Sequence, residues 1–123
     1  MPVRLKRAYD PPAPEDGYRV LVDRLWPRGL RREEAHVDAW LRDLAPSDAL
    51  RRWFGHDPAR WEEFRRRYLE ELREPARQAL LEGLERRARG GTVTLVYGAR
   101  DAERNQAVVL REALEKRLGE RQA

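Results

Sequence analysis

Short apolar runs with the period of a strand alternate along this chain with longer segments in which apolar residues return every three or four positions. Val3 to Tyr9 reads as a first strand, and Tyr18 to Asp23, with Val20, Leu21 and Val22 in succession, as a second. Between them Asp10-Pro11-Pro12-Ala13-Pro14-Glu15-Asp16-Gly17 forces a loop, because proline removes backbone donors and restricts the residue before it. From Arg31 to Leu44 the spacing Val37, Trp40, Leu41, Leu44 predicts a helix. Ala45-Pro46-Ser47 breaks it, and Ser47 is placed to cap a short helix bearing Leu50, Trp53 and Phe54. Asp57 as a cap and Pro58 as a first helical residue start the next helix. Its stripe is Trp61, Phe64, Tyr68 and Leu72, which reads as core. Trp40, Trp53 and Trp61 are likewise assigned to apolar helical faces. Pro75 interrupts the pattern, Ala76, Leu80 and Leu84 continue it, and Gly90-Gly91 ends it. Thr92 to Tyr97 is a third strand, and a last helix is expected from about Ala102 to Leu118.

The second and third strands are separated by several helices, which favours parallel pairing through a long crossover. Their apolar runs are those of strands covered on both faces. The expected fold class is therefore α/β: a small three-layer domain over residues 1–123, with a short, mainly parallel sheet of about three strands and helices packed on it. Helices dominate by residue count. The first strand is the candidate edge.

Composition narrows the chemistry more than it narrows the fold. The chain has 123 residues, 39% charged and 41% hydrophobic, which suits one compact domain with an ionic surface. No apolar run approaches the roughly 20 residues of a membrane span. The opening residues Met1-Pro2-Val3-Arg4-Leu5-Lys6 lack the apolar stretch of a signal peptide, so a cytoplasmic location and no membrane partner are expected. Cysteine is absent, which removes disulfides, thiolate catalysis and Cys-type zinc sites. Of the 26 basic residues only Lys6 and Lys116 are lysines, and the rest are arginines. Acids and bases alternate around the helices, as in Glu62-Glu63-Phe64-Arg65-Arg66-Arg67, which is how a salt-bridged helix surface reads.

Elimination continues at the level of motifs. Ser47 is the only serine, and its place is that of a helix cap. His36 and His56 are far apart and lack a close carboxylate pair, so no metal is expected. Neither G-x-x-x-x-G-K-[ST] nor G-x-G-x-x-G is present, and no cofactor is expected. What remains is acid–base or electrostatic work by Asp, His, Tyr and Arg. In doubly covered sheets, ligands sit beyond the carboxyl ends of the strands. The second strand ends there in Asp23-Arg24-Leu25-Trp26-Pro27-Arg28-Gly29. The third ends in Tyr97-Gly98-Ala99-Arg100-Asp101.

The candidate ligand-binding residues are Arg24, Trp26, Arg28, Arg100, Asp101 and Asn105, with Asp23 and His56 as candidates for a catalytic proton. Arginine forks and a helix start attract anions, so a small anionic partner, a phosphate ester, nucleotide or carboxylate, is the leading expectation. Gly98 would let such a ligand approach the backbone. The bland alternatives are an Asp23–Arg24 ion pair pinning the loop, Trp26 packed inward, and Asp101 capping the last helix. Two readings of another class stay open. One is a nucleic-acid module using the Arg-rich helices around Gly55-His56-Asp57, which glutamate-paired arginines would end. The other is a protein-interaction subunit pairing through its first strand.

Several blocks together resemble a known family. They are Arg19-Val20-Leu21-Val22-Asp23-Arg24-Leu25-Trp26-Pro27-Arg28-Gly29, Asp38-Ala39-Trp40, Leu44-Ala45-Pro46-Ser47, Trp53-Phe54-Gly55-His56-Asp57-Pro58 and Thr94-Leu95-Val96-Tyr97-Gly98-Ala99-Arg100-Asp101 with Asn105. In that order, over nearly the whole chain, they resemble the YeaO-like family within the domain of unknown function 488. That family commonly carries lysine where Arg100 stands, so the positive charge is kept. The resemblance implies a small α/β protein of bacterial or archaeal type, and it transfers no activity and no catalytic residue.

Overall fold

A computed structural model describes residues 3–122; Met1 and Pro2, part of the leader reading, lie outside them. Four strands form one parallel sheet: β1 (Val3–Arg7), β2 (Tyr18–Leu21), β3 (Ala39–Trp40) and β4 (Val93–Tyr97), in the order β1-β4-β2-β3. Five α-helices accompany them: α1 (Arg32–Ala35), α2 (Asp48–Phe54), α3 (Trp61–Glu71), α4 (Pro75–Gly90) and α5 (Gln106–Gln122). The last strand in sequence, β4, is inserted between the first two, so β1 and β2 each pair with it along their whole length.

Strand alternation divides the apolar residues between two faces. Val20 and Val22, with Val93, Leu95 and Tyr97, look onto the main core, where Phe54, Phe64, Tyr68, Leu81, Leu110 and Leu114 meet them. Fully burying each such side chain stabilises the fold by about 1.5–3 kcal/mol. Leu21 and Val96 point to the opposite face, and Trp26, Leu30, Val37 and Trp40 cover them. Both faces are covered, but by unlike layers: long helices on one side and an aromatic, loop-rich segment with the one-turn α1 on the other.

That second layer is where the structure departs from the helix expected over Arg31–Leu44. The helix closes after one turn because His36 takes a left-handed backbone conformation (φ 48°). Asp38 then zips the chain onto β2: its N–H donates to the Arg19 carbonyl (2.7 Å) and its carboxylate accepts the Arg19 N–H (2.8 Å). The result is a fourth strand, and Trp40 stands on it rather than on a helix. The apolar spacing is real, but two cores share it: Val37 and Trp40 serve one face of the sheet, Leu41 and Leu44 the other.

Elsewhere the boundaries tighten by a few residues. α5 starts at Gln106 instead of Ala102, because Asn105 caps it. The Ser47 hydroxyl accepts the Leu50 N–H (3.2 Å), and the Asp57 carboxylate accepts the Ala59 N–H (3.0 Å), so both expected caps are present.

Below β2, at the amino-terminal edge of the sheet, lies a buried ionic cluster. Asp16 is fully buried and Arg19 nearly so. The Asp16 carboxylate accepts from Arg19 Nη1 (2.6 Å), Lys6 Nζ (3.0 Å) and the Ala13 N–H (3.0 Å). Arg19 spends its remaining donors on the carbonyls of Ala35 and His36. Burial works against the charge of Asp16, but these hydrogen bonds win and hold its carboxyl below the ordinary 3.8.

Candidate functional site

The carboxyl ends of β2 and β4 lie side by side. Leu21 is in register with Val96, and the Val22 N–H continues the ladder to the Val96 carbonyl (3.0 Å), so Asp23 emerges beside Gly98. The chain after β2 leads towards β3 at one edge, whereas α5, which follows β4, packs on β1 and β4. The two exits thus part at the β2–β4 seam, the place in an open parallel sheet where ligands gather.

Asp23 is the centre of that seam. Its Oδ2 accepts the Gly98 N–H (2.9 Å), its Oδ1 accepts from the side-chain amide of Gln106, and the Trp40 indole N–H donates to its backbone carbonyl (2.7 Å). Both carboxylate donors are neutral, and no cation forms an ion pair with Asp23 among the described residues. Burial therefore dominates and pushes its carboxyl up from 3.8 to about 6, with the two hydrogen bonds opposing. Glycine at position 98 is a steric requirement: a Cβ there would stand 2.8 Å from Asp23 Oδ2. The missing side chain makes room for the aspartate itself.

Above Asp23 opens a cleft of about 410 Å³, within the range of small-molecule sites. Five residues anticipated from the sequence line it: Asp23, Arg24, Trp26, Arg28 and His56. They are not equally available. Arg24 donates from Nε to the Pro46 carbonyl (2.8 Å) and so pins the loop before α2; it forms no ion pair with Asp23. Trp26 packs edge-on against Trp40 and gives its N–H to the Leu30 carbonyl (2.6 Å). His56 is exposed with a left-handed backbone (φ 58°). The Arg28 guanidinium has no hydrogen-bond or ion-pair partner among the described residues; only its backbone carbonyl is engaged, by the Tyr9 hydroxyl (2.7 Å).

The other three anticipated residues are not brought to the cleft. Arg100 is exposed, lies outside its lining and has no hydrogen-bond or ion-pair partner among the described residues. Asp101 accepts the N–H groups of Glu103 (2.9 Å) and Arg104 (3.2 Å), contacts that hold its carboxyl below the ordinary value. Asn105 is buried, with its oxygen on the Ala107 and Val108 N–H groups and its amide on the Asp101 carbonyl. Sequence reasoning missed Gln106 and the pair Arg51 and Arg52, all of which line the cleft. The signal for Gln106 was its place as the first residue after the α5 cap. Arg51 and Arg52 are flagged only by the short helix that leads from Ser47 to the Gly55-His56 turn. Both reach Asp48, at 3.1 and 3.3 Å.

Among the described residues, no three side chains of His, Cys, Asp or Glu converge as a metal site, and no helix is long and apolar enough to cross a membrane. Much of the helical arginine excess is answered by acids: Arg65 by Glu112, Arg66 and Arg67 by Glu63, and Arg89 and Arg117 by Glu85. Phe64 and Tyr68 of α3, the helix that a DNA-reading motif would expose, are buried in the core.

Comparison with known proteins agrees with the blocks read from the sequence. The family described as the inactive DUF488-N3 subclade matches residues 2–123. An uncharacterised protein of Mycobacterium tuberculosis is 45% identical over 112 residues, covering 91% of this chain and 92% of that protein. The uncharacterised protein YeaO of Escherichia coli is 38% identical over 114 residues, covering 93% and 97%. No solved structure matches the chain.

Proposed function

We propose, from the premise that the chain belongs to the YeaO-like DUF488 family and to its inactive N3 subclade, that it binds a small anionic ligand at the ends of β2 and β4 without turning it over. One observation carries this reading: four arginines and a single carboxylate line the cleft. Arg28 is the anchor, because its planar fork is unengaged among the described residues and matches a phosphate or carboxylate bidentately. Arg51 and Arg52 share one carboxylate, Asp48, and retain donors for an anion. Arg24 adds charge while it holds the loop in place.

The description of the subclade as inactive supports binding rather than chemistry. Asp23, fastened by two neutral donors, then acts as a fixed acceptor and not as a base. The cytoplasmic location expected from the sequence is kept in this reading. The paired arginines of the helices give the nucleic-acid alternative no comparable support.

Titration calorimetry with inorganic phosphate at low salt tests the proposal. The wild-type chain is expected to bind, and Arg28→Ala to weaken binding by at least about tenfold, the loss of a bidentate pair of hydrogen bonds to a charged group. Added salt should weaken it further, as for any partly exposed charge contact. Absence of binding, or binding unchanged in Arg28→Ala, contradicts the reading.

A further inference from the structure

We infer that the ligand of this cleft is a phosphorylated polyhydroxy compound, with its phosphate on the arginine side and a hydroxyl donating to Asp23; the inference rests on the anion-binding reading above. The geometry behind it is a carboxylate and four guanidinium groups that line one cleft without pairing with one another. Asp23 and the arginines line one cleft, yet Asp23 has no ion pair with any of them. Each Asp23 oxygen accepts one neutral donor, from Gly98 or from Gln106. An ionised carboxylate offers about four acceptor sites, so roughly half its capacity is unspent. A ligand that fills such a cleft meets both groups best by bringing a donor to the carboxylate and negative charge to the guanidinium groups.

The donor is a hydroxyl rather than an ammonium because of its neighbours. Arg24, Arg28, Arg51 and Arg52 line the cleft against the single carboxylate of Asp23, so its net charge is positive and disfavours an ammonium. A neutral hydroxyl satisfies the carboxylate without that penalty. The walls fit the rest of such a molecule. Tyr9 and Leu25, 43% and 54% exposed, are the large hydrophobic residues left open among the described residues, and both lie on this cleft. The C–H edges of a polyol backbone pack on such a lip, while its oxygens turn to the polar wall.

A matched set of three esters tests the inference: glycerol 3-phosphate, propyl phosphate and phosphoethanolamine, titrated calorimetrically into wild type and Asp23→Asn. The measurement is made well above the pH at which Asp23 gains its proton. Glycerol 3-phosphate is expected to bind wild type about tenfold more tightly than propyl phosphate, the effect of one hydrogen bond to a charged group. In Asp23→Asn that advantage should vanish, while propyl phosphate, relieved of a neighbouring negative charge, should bind no more weakly than it does to wild type.

Equal affinity of the two esters for wild type would overturn the inference and leave anion binding standing, and this arm needs no variant. An advantage that survives Asp23→Asn would also overturn it. Tighter binding of phosphoethanolamine than of glycerol 3-phosphate would overturn the hydroxyl in favour of an amine. Failure of all three esters and of inorganic phosphate would instead remove the anion-binding reading on which the inference stands.

Discussion

Asp16 precedes β2 and Asp23 follows it, so a single strand separates two aspartates in opposite circumstances. At the amino-terminal end, Asp16 is sealed in with Arg19 and Lys6, each at hydrogen-bond distance, and its carboxyl titrates below the ordinary range. At the carboxyl-terminal end, Asp23 has an N–H and an amide but no cation, and its carboxyl is raised to about 6. The first arrangement is complete and holds the fold. The second leaves charge unmatched among the described residues: a carboxylate without a counter-ion, in a cleft with an arginine that lacks one too. Closed ionic clusters stabilise or specify a structure, whereas open ones leave binding energy for something else.

The contrast is most sharply broken at Asp16. Asp16→Asn leaves the buried Arg19 and the half-buried Lys6 without their carboxylate, and removing one partner of a buried ion pair typically costs about 3–5 kcal/mol. Urea unfolding is expected to show a loss of that size, and a change under about 1 kcal/mol would mean that the cluster is solvated after all.

Next in size is the pH dependence of stability, which has opposite signs at the two ends. A raised carboxyl favours the folded state when protonated. The Asp23 contribution is therefore fully present below its unfolded value of 3.8 and is lost as pH rises through about 6. The difference amounts to roughly 3 kcal/mol. The lowered carboxyl of Asp16 contributes above 3.8, and that contribution is lost as pH falls through its depressed folded value. Asp23→Asn should remove the decline between pH 4 and 7 (about one unit beyond the Asp23 value) and leave the acid limb intact. Parallel curves for variant and wild type across that window would contradict the assignment.

The smallest expected effect is at Gly98. Gly98→Ala forces a methyl group against Asp23 Oδ2, an overpacking that costs about 1–3 kcal/mol. The same change pushes the aspartate off its two donors, so its signature is a joint loss of stability and of the preference for glycerol 3-phosphate over propyl phosphate. Stability lost with that preference intact would separate Asp23 from the cleft.

The two ends of the sheet were not equally legible in the sequence. The run Val20-Leu21-Val22 breaking into Asp23-Arg24 marks a strand exit by polarity alone, and the Tyr97-Gly98 exit repeats the signal; the parallel sheet and the seam followed from those two. Asp16 gave no such sign. In a chain that is 39% charged, one more acid in a proline-rich loop looks solvated, and only the fold shows it buried against Arg19. Arg24 and Asn105 were drawn to the site by residue type, yet backbone groups claim both side chains first. Arg51 and Arg52 escaped notice because they reach the cleft from a different helix, a closeness that belongs to tertiary structure. The Arg31–Leu44 segment misled because a helical spacing of apolar residues can also be met by a bent chain that serves two cores.

The measurement that tests the central contrast most directly is a carbon-detected NMR titration of the side-chain carboxyls in the ligand-free protein. Asp23 is expected to titrate near 6 and Asp16 below 3.8. An Asp23 carboxyl at or below the ordinary aspartate value would mean that an arginine closes on it in solution, leaving the cleft self-neutralised with no unmatched charge to offer a ligand.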